Sequence, residues 1–148
     1  MTATCREPCC PSPRLSVSEL FERGFRRSRE TPLSLQGEPQ TNSEGYFARF
    51  SLELAGERIA DLRFQASPCA TLIAYCELIA ETLPGARLDI ARALTGADLV
   101  QKLSGVPAMK RDRAALAAAA LHSALAVASL PNSGAPDESR LHLRYPAA

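Results

Sequence analysis

The sequence predicts an α+β fold, in which a small antiparallel β-sheet is packed against an N-terminal helix and a helical C-terminal half. Three observations predict it. Two runs of alternating apolar and polar residues, 46–54 and 58–66, flank a Gly-containing turn, as the strands of an antiparallel hairpin do. A capped amphipathic helix precedes them, and apolar stripes at helical spacing follow. One face of the hairpin is apolar, so the helices must cover it.

The chain has 148 residues, enough for one domain. It divides into an N-terminal tail (1–14), a domain (15–130) and a C-terminal tail rich in Pro, Ser and Gly (131–148). Apolar residues make up 46% and charged residues 22%, which excludes wholesale disorder. Lys and Arg total 17 against 16 Asp and Glu, so net charge gives no drive toward nucleic acid or an acidic membrane. Aromatics at 5%, without Trp, argue against a base-stacking platform.

The first ten residues lack the apolar segment of a secretory signal. The uncharged stretch 114–130 is Ala-rich and interrupted by His122 and Ser123. It reads as a buried helix and not as a membrane span. Five cysteines, an odd and low count, point to a reducing compartment, the cytoplasm, and away from a disulfide scaffold. Cys5, Cys9 and Cys10 cluster in the N-terminal tail without a nearby fourth metal ligand, and read as incidental thiols.

The first helix starts at Leu15-Ser16-Val17-Ser18-Glu19-Leu20. Ser16 caps, Glu19 reaches back to the cap amide, and Leu15 and Leu20 have staple spacing. Val17, Leu20, Phe21 and Phe25 form its apolar stripe. Arg26, Arg27 and Arg29 suit its C-terminal end, as a solvated basic end or as a docking patch for an acidic partner. Residues 30–43, with Pro32 and Pro39, read as a loop. The hairpin places Tyr46, Ala48, Phe50, Leu52 and Leu54 on one face of its first strand, and Ala60, Leu62, Phe64 and Ala66 on one face of its second.

Ser67-Pro68-Cys69 predicts the next helix start, with Ser67 as cap, Pro68 at the first helical position and Cys69 in the first turn. Leu72, Ile73, Cys76, Ile79, Ala80 and Leu83 form the stripe, and Pro84-Gly85 ends it. Short helices follow at 89–94 and 98–103, the second capped by Thr95 with Asp98. Gly105 and Pro107 break the chain, and a last helix runs from near Asp112 to about Ser129. A short strand at 141–145 is a further candidate.

Cys69 is the residue with chemistry. A thiol in a first helical turn meets the positive end of the dipole and unpaired backbone amides, both of which favour thiolate. Thiolate is the form that binds metal or accepts sulfur. Cys76 lies two helical turns on, about 10 Å away and too far for a disulfide, and reads as a small core residue. His122, in its Ala and Leu surroundings, reads as a satisfied helix histidine. By the same residue-level reading, Asp112 caps the last helix, Glu44 is a loop carboxylate in water and Arg113 is a surface residue.

The stretch from Gly45 to Leu125 resembles the iron–sulfur cluster assembly scaffolds of the IscU type, including the N-terminal domain of NifU. The resemblance rests on three segments: the hairpin; Phe64-Gln65-Ala66-Ser67-Pro68-Cys69-Ala70, where the family has Gly-Cys-Gly or Gly-Cys-Ala; and Leu103-Ser104-Gly105-Val106-Pro107-Ala108-Met109-Lys110, which is similar to the family's Leu-Pro-Pro-Val-Lys loop. It implies a third strand from 31–43, hence an IscU/SufE-like sheet of about three strands. It also implies a non-enzymatic scaffold, and a site built from three cysteines and an Asp. Only the middle cysteine is kept, as Cys69. The first cysteine falls at Glu44, the Asp at Tyr46 and the family's His-Cys pair at Asp112-Arg113.

What the resemblance implies is an iron–sulfur cluster or an iron or zinc ion on Cys69, Glu44 and Asp112, with water or a homodimer completing the shell. Cysteine desulfurase or other assembly proteins are the implied partners. The alternative is a module that docks a desulfurase, chaperone or client and has lost the cluster. A one-cysteine sulfur acceptor, similar to SufE, fits less well, because Cys69 follows the hairpin where the SufE cysteine precedes it.

Overall fold

The computed structural model describes residues 15–129. In chain order the elements are β1 (Leu15–Ser16), α1 (Val17–Arg27), β2 (Leu35–Gln36), β3 (Gln40–Thr41), β4 (Phe47–Ala55), β5 (Arg58–Ala66), α2 (Ala70–Thr82), α3 (Leu88–Arg92), α4 (Gly96–Lys102), β6 (Leu103–Ser104), a 3-10 turn (Ala108–Lys110) and α5 (Asp112–Ala128). The two tails, with Cys5, Cys9, Cys10 and the candidate strand at 141–145, lie outside the described residues.

The hairpin forms as its alternation predicts. β4 and β5 are antiparallel, with Phe50 opposite Phe64 and Leu52 opposite Leu62. The two rings lie 5.8 Å apart, a cross-strand pair of the kind that stabilises sheets. The far end departs from the expectation. Glu53 pairs with Asp61 but Leu54 pairs with Ile59, so Ala60 is bulged out of register. The bulge reverses the alternation, which buries Ile59 and exposes Ala60. The third strand forms as two short pieces: β2 and β3 both lie antiparallel to β4 on the edge away from β5. Pro39 falls between them, and a proline has no N–H for a ladder. Gly37, also in the gap, instead donates its N–H to the Phe50 carbonyl at 2.9 Å.

Helix α1 begins as its sequence predicts, with the Ser16 hydroxyl accepting the Glu19 N–H at 3.3 Å. It buries Leu20 and Gly24. A Cβ on Gly24 would lie 2.7 Å from the Ile73 side chain, so only glycine allows this approach of α1 to α2. The basic end of α1 is not simply solvated. Arg27 forms a two-pronged pair with Glu77 at 2.6 and 3.1 Å and donates to the Leu62 carbonyl at 3.2 Å. Arg23 holds Glu81 in the same way at 2.6 and 3.0 Å.

Helix α2 is buried without a break from Thr71 to Ala80, wider than the stripe its spacing predicts. A helix enclosed on all sides loses its polar face. Here α1, β5 and α5 all pack on α2. Cys76 is a core residue, and burial pushes its thiol well above the ordinary range. Helix α5 lies along β2, β3 and β4, and small residues let the backbones close in. A Cβ on Gly37 would meet the Ala124 nitrogen at 2.5 Å. Thr95 and Asp98 form the predicted capping box of α4. His122 is satisfied, its Nε2 lying 2.9 Å from the Leu94 carbonyl oxygen. Among the described residues, no helix is long and apolar enough to cross a membrane.

Two outcomes are expected. Gly37→Ala drives a methyl into the α5 backbone and is expected to cost roughly 1–3 kcal/mol in urea unfolding. Burial raises the Glu77 carboxyl to about 7 against the opposing pull of Arg27. An acid with a higher pKa folded than unfolded binds more protons in the folded state. Its contribution to stability therefore declines as pH rises from 4.5, the ordinary glutamate value, through about 7. Glu77→Gln is expected to flatten that part of the stability–pH curve.

Candidate functional site

Three chain segments meet beside the β3 end of the sheet: the turn from β3 to β4, the entry to α2 and the first turn of α5. Asn42 shapes the first segment. Its side-chain oxygen accepts the N–H groups of Glu44 and Tyr46, both at 3.0 Å, and Gly45 takes a φ of 89° to close the turn. Glu44 and Tyr46 are thereby fixed in place.

The entry to α2 differs from the expectation. Ser67 does not cap the helix. Its hydroxyl accepts the Phe47 N–H at 2.8 Å, and its own N–H donates to the Phe47 carbonyl at 3.0 Å. The sheet ladder thus runs one residue past Ala66 and uses the serine. Pro68 follows in the connection, and Cys69 becomes the cap residue, with φ −125° and ψ 118° and no side-chain cap bond. The Cys69 N–H donates to the Ser67 carbonyl at 2.7 Å, and its carbonyl accepts the Ile73 N–H at 2.9 Å. The thiol is buried and belongs to the main apolar cluster.

The third segment supplies the centre. Arg113, read from sequence as a surface residue, is only 4% exposed. Its Nη2 lies 2.9 Å from Glu44 Oε1 and its Nη1 lies 2.7 Å from Asp112 Oδ1. Its guanidinium carbon sits 4.6 Å from the centre of the Tyr46 ring, a cation–π distance. Burial would lower its pKa, but contact with Cys69 and Asp112, with the charges of Asp112 and Glu44, outweighs that and holds it above the usual arginine value. Asp112 makes no cap bond for α5. Its second oxygen receives the Asn42 amide at 3.5 Å. Glu44 is half-exposed, as a loop carboxylate should be, but is held by the guanidinium and not only by water.

The positions that the family resemblance marks therefore gather around one side chain. Glu44, Tyr46, Cys69 and Asp112 all neighbour Arg113. Chemically this is a cation in an acidic, aromatic cradle with one thiol beside it. The donor set does not fit an iron–sulfur cluster, which needs about four thiolate-like ligands. Among the described residues, no three His, Cys, Asp or Glu side chains are grouped so as to hold one metal ion. Sequence reasoning missed Arg113 and Asn42. The Asn-x-x-Gly turn signal was available for Asn42. For Arg113, only the positions at which it meets Glu44 could have spoken, and those lie far apart in the chain.

A model of the NifU-like N terminal domain family matches residues 29–129. The crystal structure of a candidate iron–sulfur cluster assembly scaffold protein for the SUF system, from Fervidobacterium islandicum AW-1, superposes with a TM-score of 0.53 at 15% identity, over 70% of this chain and 94% of that one. At that identity the likeness is one of fold. A nitrogen-fixing NifU-like protein (N-terminal) from Brucella abortus gives a TM-score of 0.40 at 18% identity, over 75% of this chain and 81% of that one. No curated protein matches the chain.

The Ser67 assignment has a direct test. Ser67→Ala is expected to cost roughly 1–2 kcal/mol by chemical denaturation, since the Phe47 N–H loses its acceptor. Amide exchange at Phe47 is expected to speed up, while exchange in the first turn of α2 stays as it is. A serine acting as helix cap would give the opposite pattern.

Proposed function

Because the chain belongs to the family of NifU-like N-terminal domains, we propose that it serves iron–sulfur cluster assembly as a scaffold-shaped docking module, engaging a cysteine desulfurase or another assembly protein without carrying a cluster itself. The observation that carries this reading is Arg113, whose guanidinium lies among the positions where the family keeps its ligands. The family's scaffold architecture is retained, while the soft-ligand set is reduced to Cys69. A guanidinium is neither a ligand for iron nor a nucleophile for sulfur, so this chain performs no covalent step at that position.

The competing reading places iron, zinc or a labile cluster on Cys69, Glu44 and Asp112. It requires Arg113 to give up two ion pairs, and it gathers a single sulfur. Hard carboxylates and one thiolate make a poor cage for a cluster.

The test uses the full chain and a purified cysteine desulfurase. The expected result is a complex, detected by analytical ultracentrifugation, that is equally stable in buffer containing a chelator. No complex with a desulfurase, alone or together with other assembly proteins, would overturn the proposal. So would visible charge-transfer absorption after reconstitution with iron and sulfide that disappears in Cys69→Ser.

A further inference from the structure

We propose that the outward face of α1 is a self-complementary docking surface whose occupant is a second copy of this chain, laid antiparallel across it about a two-fold axis. The inference goes beyond the docking reading above and does not depend on it.

Helix α1 has two differently furnished faces. The face on α2 is settled: Leu20 and Gly24 are buried, and Arg23 and Arg27 are each matched by a glutamate. The opposite face has no counterpart to these pairs. Phe25 is 46% exposed and lies 5.9 Å, centre to centre, from the half-buried ring of Phe21. The Arg29 guanidinium carbon lies 5.6 Å from the centre of the Phe25 ring. Glu19, Glu22, Arg26 and Arg29 are exposed, and among the described residues none of them makes an ion pair. An aromatic centre rimmed by charge is how interfaces are built.

The order of these residues points to the occupant. At about 3.6 residues per turn, Phe21 and Phe25 run along one edge of the outward face and the four charges along the other. Along the charged edge the sign reverses: Glu19 and Glu22 come first, Arg26 and Arg29 last. A two-fold rotation that sets two copies antiparallel keeps each edge against its own kind and reverses its order. Aromatic pair then meets aromatic pair. Glu22 meets the partner's Arg26 and Glu19 meets the partner's Arg29, centred at the level of residue 24. Each pairing occurs twice.

The same charges disfavour a different occupant. Two acids and two arginines leave this face without net charge. An acidic partner drawn by Arg26 and Arg29 is repelled by Glu19 and Glu22, whereas the reversed face of a second copy matches all four. The helix dipole also favours acids early and bases late, but it makes no demand on an exposed phenylalanine.

The contact is small. Two helices of 11 residues each cover less than the roughly 1,200 Å² of a stable interface, so the dimer is weak and exchanging, with a dissociation constant of roughly tens of micromolar. It leaves the Arg113 site open in both copies, because no residue of that site belongs to α1.

The test is charge reversal read by analytical ultracentrifugation. The full chain, in reducing buffer, is followed from about 5 μM to about 1 mM, and is expected to pass from monomer to dimer. Glu22→Arg and Arg26→Glu each set like charges opposite one another twice, and each is expected to weaken association at least about tenfold. An equimolar mixture of the two variants is expected to associate as tightly as the parent, since every arginine at 22 or 26 then faces a glutamate of the other variant. Glu19→Arg with Arg29→Glu is a second such couple. Phe25→Ser is expected to weaken association as much, with no rescue on mixing. The melting temperature of the dilute protein checks that each variant folds, and is expected to stay near that of the parent because these positions are exposed.

The proposal is overturned if the chain stays monomeric at about 1 mM, if a dimer forms that neither couple of reversals weakens, or if mixing restores nothing. A monomer that binds polyglutamate through Arg26 and Arg29 overturns it as well, in favour of an acidic partner. No arm of the test contains a desulfurase, so failure here and failure of the docking reading are separate results.

Discussion

The structure turns on a buried positive charge. Arg113 projects from the first turn of α5 into a space bounded by Glu44, Tyr46, Cys69 and Asp112. A lone guanidinium taken out of water is costly, and the protein offsets that cost with two carboxylates and an aromatic face. The same contacts bring three distant stretches of chain into register. Chemistry and architecture at this place are thus one matter: the group that decides what the site can bind is also the group that holds the site together.

The surrounding fold is arranged to deliver those residues. The β4–β5 hairpin provides the platform, and its ladder extends through Ser67 to set where α2 starts. Asn42 fixes the turn that carries Glu44. On the opposite flank of α2, two arginines of α1 grip two glutamates by both prongs. Bidentate pairs constrain orientation as well as distance, so α1 sets the position of α2 along its length. The buried member, Glu77, is the one whose proton affinity is most altered, because it gives up water while its partner Arg27 remains partly wet.

Much of this was legible in the sequence. The alternation of 46–54 with 58–66, the Ser16 cap and the Thr95–Asp98 box are local signals, and local signals survive folding. The reduced ligand set was legible too, through the family resemblance at Cys69. What could not be read are outcomes of competition. Ser67 looks like a helix cap by its neighbours, but a strand amide reached it first. Ala60 lies on the wrong face because one extra residue entered the ladder. Arg113 follows a polar residue at a helix start, where an arginine is usually in water. Its burial depends on Glu44, Tyr46 and Cys69, which arrive by tertiary folding and leave no trace next to it in the chain. Arg27 was misread for the same reason, since Glu77 lies half a domain away.

The two-residue strand at Leu15–Ser16 runs parallel to Leu103–Ser104, and the Ser104 hydroxyl bonds the Leu15 carbonyl across 89 positions of sequence. This sets an order on the ribosome. The first strand of the domain emerges early and waits until most of the domain, though not yet α5, has been translated before its partner appears. Closing so large a loop is entropically expensive until the intervening core exists. The hairpin and α2 can therefore assemble while α1 is still unanchored at its leading end. The segment that then pins it, β6, is the one from which the chain proceeds through the 3-10 turn to Arg113. Start and centre of the domain are completed together, once β6 and the first turn of α5 have emerged.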